Sequence, residues 1–156
     1  MKRRFCPIPR PQGYHHGDLR RALLLAARQL VDRGGSPALT LRAAAQQAGV
    51  SPAAPYRHFE DRDPLLAAVL AEGFRELAAT TDAARHAAAT PVDSYLAVGS
   101  AYLQFADDHP QLYRLMFGSE CNKLQHPDLL AAGQEAFEVV LHAARAIGRP
   151  VKWTGD

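Results

Sequence analysis

The most informative segment of the chain, Thr40–Phe59, has the sequence TLRAAAQQAGVSPAAPYRHF. Its first part predicts a helix at 40–48, because a threonine is a good N-cap and small apolar residues recur at helical spacing. Gly49 favours the left-handed backbone that ends such a helix. The pair Ser51–Pro52 suits the N-cap and first position of a second helix, 51–58. The segment therefore predicts two short helices joined by a tight turn.

The end of the second predicted helix carries side chains of two kinds. Tyr56, Arg57 and His58 can donate hydrogen bonds to phosphate, whereas Phe59 offers an apolar anchor. Two helices with polar donors on the second are typical of a helix-turn-helix, which places one helix in the major groove of DNA. The alternative for Tyr56 is a packing role, with a buried ring and a solvated hydroxyl.

Charge is distributed unevenly along the chain. The 156 residues carry a net charge of +2, yet residues 1–66 hold 11 Lys and Arg against 5 Asp and Glu, and the remainder holds 7 against 11. A basic N-terminal part is typical of a module that binds a polyanion, and a solvated helical surface is the alternative. The apolar fraction of 47% is rich in alanine and leucine, which favours an all-α fold.

Several classes of protein are excluded by composition and motif. No run of about 18 apolar residues predicts a membrane span, and the N-terminus lacks the apolar core of a secretory signal. Neither metal nor cofactor is expected, because Cys6 and Cys121 lack metal spacing and His109, His126 and His142 are scattered. We expect a cytoplasmic protein with free thiols. An enzyme is least favoured, because no catalytic motif is present.

The pattern divides the chain into three parts. Residues 1–17 are basic and rich in proline, which predicts a flexible arm that reaches DNA or a tail kept soluble by its charge. Residues 18–61 form a three-helix head, and residues 62–156 hold a connector helix and a partial helical regulatory domain. Besides the two short helices, periodicity predicts helices at 18–33, 62–80, 91–108, 111–117 and 127–147, with Asp18, Asp61 and Thr90 as N-caps.

Taken together, these segments resemble the tetracycline-repressor (TetR) family of transcriptional regulators. The resemblance rests on GYHHGDLRRALLLAARQLVDRGG (13–35) and LTLRAAAQQAGVSPAAPYRHFEDRDPLLAAVL (39–70), with weaker support from HPQLYRLMFG (109–118). It implies an N-terminal three-helix helix-turn-helix DNA-binding domain and a C-terminal helical ligand and dimerisation domain. It also implies a ligand-responsive repressor that binds a near-palindromic DNA operator as a homodimer and responds to a small-molecule effector of unknown identity.

The resemblance extends to single residues at the expected DNA interface. Thr40 matches a phosphate-binding position, Arg42 matches one that can reach a base edge, and Arg62 stands where a phosphate-binding lysine is usual. An arginine at the position of Arg42 can also pair with an acid on a helix surface. Pro55 departs from the Leu or Val of the family, which leaves the base preference open. The expected DNA-binding residues are Thr40, Arg42, Ser51, Pro52, Ala53, Ala54, Tyr56, Arg57, His58 and Arg62.

Within the second helix of the motif, the resemblance separates two kinds of contact. Pro52, Ala53 and Tyr56 match base-facing or groove-facing positions. Ala54 and His58 match positions that contact the DNA backbone. Alanine offers only van der Waals contact, for example with a thymine methyl group.

The part after position 90 contains the candidate effector pocket. Its candidate lining residues are Tyr95, Tyr102, Phe105, Tyr113, Met116 and Phe117. The alternative is that they form core, as aromatic residues at helical spacing usually do.

The chain ends earlier than family members, which continue into two further helices that pack against a partner. We therefore expect an incomplete regulatory domain, and a homodimer would then depend on another surface. A second hypothesis is an interaction fragment that pairs with another protein and does not bind DNA specifically alone.

Overall fold

The computed structural model describes residues 16–148, and the regular structure within them is entirely helical, as predicted. The predicted arm, 1–17, lies almost wholly outside these residues, as does Cys6. The elements are α1 (His16–Ala38), α2 (Leu41–Gln47), a 3-10 helix termed the proline turn (Ala54–Arg57), α3 (Arg62–Ala87), α4 (Pro91–Asp108), α5 (Pro110–Phe117), a short 3-10 helix (Lys123–Gln125) and α6 (Pro127–Ala146).

Helix α1 differs from its prediction at both ends. It begins at His16, so Asp18 lies within its first turn and the prediction that Asp18 is the N-cap was wrong. Its regular part is interrupted at Gly35, whose φ of 64° is accessible to glycine at little cost. One further turn then continues to Ala38, beyond the predicted end at 33.

Three of the predicted N-caps are confirmed. The side chain of Thr40 accepts a hydrogen bond from the Ala43 amide at 3.0 Å. The side chains of Asp61 and Thr90 act in the same way at the starts of α3 and α4. Helix α3 continues to Ala87 rather than 80, and Thr81, the first residue beyond the predicted end, is still buried at 1% exposure.

The predicted α-helix at 51–58 is wrong: the chain forms only the proline turn, Ala54–Arg57. An α-helix starting at Ser51 would need the Pro55 nitrogen to donate to the Ser51 carbonyl, and proline has no N–H. The Ala54 amide instead donates to the Ser51 carbonyl at 3.0 Å, which is the tighter 3-10 pattern. Ser51 therefore caps no α-helix.

The core is organised around α3, which packs against α1, α4, α5 and α6. Its buried stripe includes Leu65, Leu66, Val69 and Leu70, each with 0% exposure. One unbroken helix therefore runs from the head into the C-terminal helices.

Helix α5 lies close to α3 where α3 has a glycine. A Cβ atom at Gly73 would lie 2.9 Å from the Met116 sulfur, so a larger residue would require the Met116 side chain to move. Charged groups connect the same region, since the Glu76 carboxylate accepts from Arg28 Nη1 at 2.8 Å and lies 3.5 Å from His109 Nε2. The α4–α5 corner is thereby joined to α1 of the head.

Candidate nucleic-acid interface

The exposed surface of the head includes large polar side chains that have no hydrogen-bond or ion-pair partner among the described residues. Tyr56 is 64% exposed, and Arg42 and Arg57 are exposed as well. Within residues 16–148, none of the three makes a hydrogen bond or an ion pair. These side chains are therefore free to contact a ligand, and two of them are cationic.

The turn between α2 and the proline turn brings separate residues to this surface. Gly49 adopts a φ of 69°, and the amides of Gly49 and Val50 donate to carbonyls in the last turns of α2. As a result, Arg42 and Pro52 line one shallow depression together with Gln46 and Val50. The sequence predicted both residues as DNA contacts, and the structure brings these two side by side. Ser51 and Ala53 are exposed nearby in sequence.

Thr40 lies at the exposed start of α2. Its oxygen accepts from the Ala43 amide, which leaves the hydroxyl proton available for another acceptor. The same side chain can therefore cap the helix and donate to a phosphate oxygen.

Three of the expected DNA-binding residues are half-buried: Ala54, His58 and Arg62. His58 lines a cleft with Arg20 and Asp128, and its Nε2 atom is buried without a hydrogen-bond partner among the described residues. Arg62 is turned toward the loop between α1 and α2. No DNA is bound, so the contacts expected for these three residues remain predictions.

Four of the six candidate pocket residues line two apolar cavities, which share Tyr102 and Phe137. The larger, about 720 Å³, lies between α3 and α6 and is lined by Met116 and Phe117. The second, about 560 Å³, opens between α4 and α6 and is lined by Tyr95. The candidates Tyr95, Tyr102, Met116 and Phe117 therefore line cavities, as a pocket requires.

Two further pocket candidates have other surroundings. Phe105 is buried and packs edge-on against the His109 ring, with 5.1 Å between ring centroids. The Tyr113 hydroxyl donates to the Tyr102 hydroxyl at 3.3 Å. Neither residue lines the two cavities, although Tyr113 supports one of their walls. Burial and the contact with Tyr113 raise the pKa of the Tyr102 hydroxyl well above its ordinary value, so this group stays neutral.

Seven residues of the larger cavity were not expected from the sequence to line a pocket, among them Phe74, Gly133 and Phe137. Phe74 and Phe137 lie in the helices that periodicity predicted at 62–80 and 127–147. A Cβ atom at Gly133 would lie 3.8 Å from the Phe74 ring, which is an ordinary van der Waals distance, so this glycine faces the ring directly. A glycine within a helix opposite an aromatic residue is a signal that could have pointed to this wall, once the helices were known to pair.

The described residues contain no group of three or more His, Cys, Asp or Glu side chains placed to hold a metal ion. In the same part of the chain, no helix combines the length and the hydropathy that a membrane span requires.

The fold is that of an all-helical protein with a helix-turn-helix in its N-terminal head. Residues 23–69 match the family model for bacterial regulatory proteins of the tetR family. Residues 95–153 match the model for the tetracyclin repressor-like C-terminal domain. The chain belongs to the TetR family of transcriptional regulators, as its sequence motifs predicted.

Curated relatives agree with this assignment. The HTH-type transcriptional regulator Mb1846 of Mycobacterium bovis is 34% identical over 111 residues, which are 70% of this chain and 47% of that protein. The HTH-type transcriptional regulator BetI of Brucella suis is 35% identical over 92 residues, which are 57% of this chain and 46% of that protein. The chain thus spans about half the length of the curated relatives it matches.

Solved structures share the architecture. A protein with unknown function from Rhodococcus sp. RHA1 is 36% identical and superposes with a TM-score of 0.76, over 90% of this chain and 75% of its own. A TetR family transcription regulator from Marinobacter aquaeolei VT8 is 20% identical, with a TM-score of 0.64 over 81% and 66% of the two chains. The second comparison supports the fold alone.

Proposed function

We propose that this DNA-binding regulator is a ligand-responsive repressor, acting in the cytoplasm as a homodimer on a near-palindromic operator. The observation that supports the proposal most is the exposure of Tyr56 and Arg57 on the proline turn and of Arg42 on α2, the helix that the turn packs against. Exposed aromatic and guanidinium groups without internal partners suit a groove of DNA and its phosphates.

Each exposed side chain has a role that follows from its chemistry. Arg42 can donate two hydrogen bonds to guanine O6 and N7, which its planar fork matches. Arg57 and the Thr40 hydroxyl donate to phosphates. The Tyr56 ring enters the groove. The short side chains of Ser51, Pro52 and Ala53 allow the backbone to approach the bases closely.

A single head makes few base contacts, which is why the proposal includes a dimer. Two heads bound to half-sites about 34 Å apart, one helical turn of DNA, would combine their contacts on one operator. A near-palindromic site follows from the two-fold symmetry of such a pair.

The two cavities provide the proposed effector site. Phe74 of α3 lines the larger cavity, and Arg62 begins the same helix beside the head. A ligand that favours one position of α3 therefore also favours one angle between the two heads. Because the walls are mostly aromatic and aliphatic, the proposed effector is a largely apolar small molecule.

The test is selection of bound duplexes from a random pool at two salt concentrations, followed by footprinting. We expect enrichment of a motif with two half-sites. Tyr56→Ala should weaken binding to the selected duplex about 10- to 100-fold, on the scale of about 1–3 kcal/mol for a base contact. Arg145→Ala, which removes an exposed charge from α6, is the matched control and should leave affinity nearly unchanged. No preference for duplex DNA, even at low salt, would contradict the proposal.

A second candidate function is supported by the surface of α4. Val92, Leu96 and Leu103 are 59%, 60% and 70% exposed, which is unusual for large apolar side chains on one helix. This face suits an interaction fragment that pairs with another protein. Light scattering after size exclusion distinguishes the two: a stable dimer supports the repressor, and a monomer or aggregate supports the fragment.

A further inference from the structure

We propose that Arg62 is a positioning residue, which holds the Thr40 end of α2 in place for DNA, and not a phosphate ligand. The inference rests on the proposed function, because it concerns how the head meets DNA. It departs from the role implied by the family, in which a lysine at this position binds phosphate.

The guanidinium of Arg62 bridges the first turn of α3 and the loop between α1 and α2. Its Nε donates to the Leu39 carbonyl at 3.0 Å, and its Nη2 donates to the Ser36 carbonyl at 2.9 Å and to the Ser36 hydroxyl. Ser36 is 4% exposed and Leu39 is fully buried. The bridge therefore ends on oxygens that water reaches poorly.

The Leu39 carbonyl is the last backbone acceptor before Thr40, the N-cap of α2. A planar fork that binds two carbonyls three residues apart fixes the direction in which the chain enters α2. It thereby sets where the Thr40 hydroxyl and the first turn of α2 face. A lysine ammonium carries one charge point and cannot reproduce this two-point contact.

The bridge also accounts for a cation in the first turn of α3, where the helix dipole disfavours positive charge. The Ser36 carbonyl lies in the last turn of α1, the Leu39 carbonyl follows its end, and both carry partial negative charge. Asp63 adds a carboxylate 3.5 Å from Nη1. Arg62 is thus compensated inside the protein, and a phosphate is not needed to explain its presence.

The experiment compares Arg62→Lys and Arg62→Gln by fluorescence anisotropy on the selected duplex, across a range of salt concentrations. If Arg62 positions α2, both variants should weaken DNA binding by about tenfold, because both lose the planar guanidinium that contacts the two carbonyls. It also predicts that the slope of log Kd against log salt stays at the wild-type value. Two variants in α6 serve as controls. Arg145→Gln shows the effect of removing a charge far from the head, and Leu141→Ala shows the effect of lowering stability by a buried change. Both should bind DNA like wild type at a temperature where circular dichroism shows the folded state.

A second readout needs no DNA. The amide of Ala43 donates to Thr40, so its NMR resonance reports the cap directly. Both Arg62 variants should shift this resonance and speed its hydrogen exchange, while Leu141→Ala should not.

Two results would overturn the inference. The first is wild-type affinity in Arg62→Lys together with a salt slope lowered by about one in Arg62→Gln, which is the signature of a lost phosphate contact. The second is an unchanged Ala43 amide in both variants. If wild type binds no duplex at all, the proposed function fails, and the Ala43 amide still decides whether Arg62 holds α2.

Discussion

Two threonines in this chain cap helices in the same way, and only one of them lies at the proposed DNA surface. Thr40 accepts from the Ala43 amide at 3.0 Å, and Thr90 accepts from the Asp93 amide at 3.1 Å. Both are exposed. Replacing either threonine by alanine should cost about 1 kcal/mol of unfolding free energy, because one helical amide loses its acceptor. For a chain of this size, that corresponds to a fall of about 2–4 °C in Tm, measured by circular dichroism.

DNA binding should separate the two variants. Thr40→Ala removes a hydroxyl donor to phosphate as well as the cap, and we expect an affinity loss of about 5- to 15-fold. Thr90→Ala should bind the duplex like wild type. Thr40→Ser keeps the hydroxyl and should recover both stability and affinity. Equal affinity losses for the two alanine variants, or none for Thr40→Ala, would refute the role assigned to Thr40.

The remaining predictions concern packing and a buried thiol. Gly73→Ala should destabilise the protein by about 1–2 kcal/mol in urea unfolding, because its Cβ would lie 2.9 Å from the Met116 sulfur. Gly99→Ala, which has open space around it, should instead stabilise the protein by up to about 1 kcal/mol. Equal changes in unfolding free energy for the two variants would contradict the α3–α5 packing. Burial raises the pKa of the Cys121 thiol in the folded protein. Above about pH 8.5 this thiol therefore ionises first in the unfolded chain, and the unfolding free energy should fall as pH rises. Cys121→Ala should lose this contribution to the pH dependence.

Local signals in the sequence predicted much of the fold. The caps at Thr40, Asp61 and Thr90 each depend on a side chain and an amide two or three residues away, so their pattern is visible without the fold. The bounds of α4, 91–108, were predicted to the residue, because a threonine cap and a following proline mark its start and His109–Pro110 marks its end.

The site was less predictable where contacts join distant segments. The bridge from Arg62 to Ser36 spans 26 residues, and nothing in the local sequence indicates that the guanidinium points inward. The proline turn was predicted as a longer α-helix, since the pattern of Ser51–Pro52 outweighed the missing amide of Pro55. The cavity walls likewise depend on how α3 and α6 pair, which helical periodicity alone does not give.

The central claim is that the head meets a DNA duplex with residues 40–62. An NMR titration of the labelled chain with a selected duplex locates the interface residue by residue. We expect the largest changes in amide chemical shift between Thr40 and Arg62, with little change in α6. Shifts confined to α4 and α6, with an unperturbed head, would contradict it.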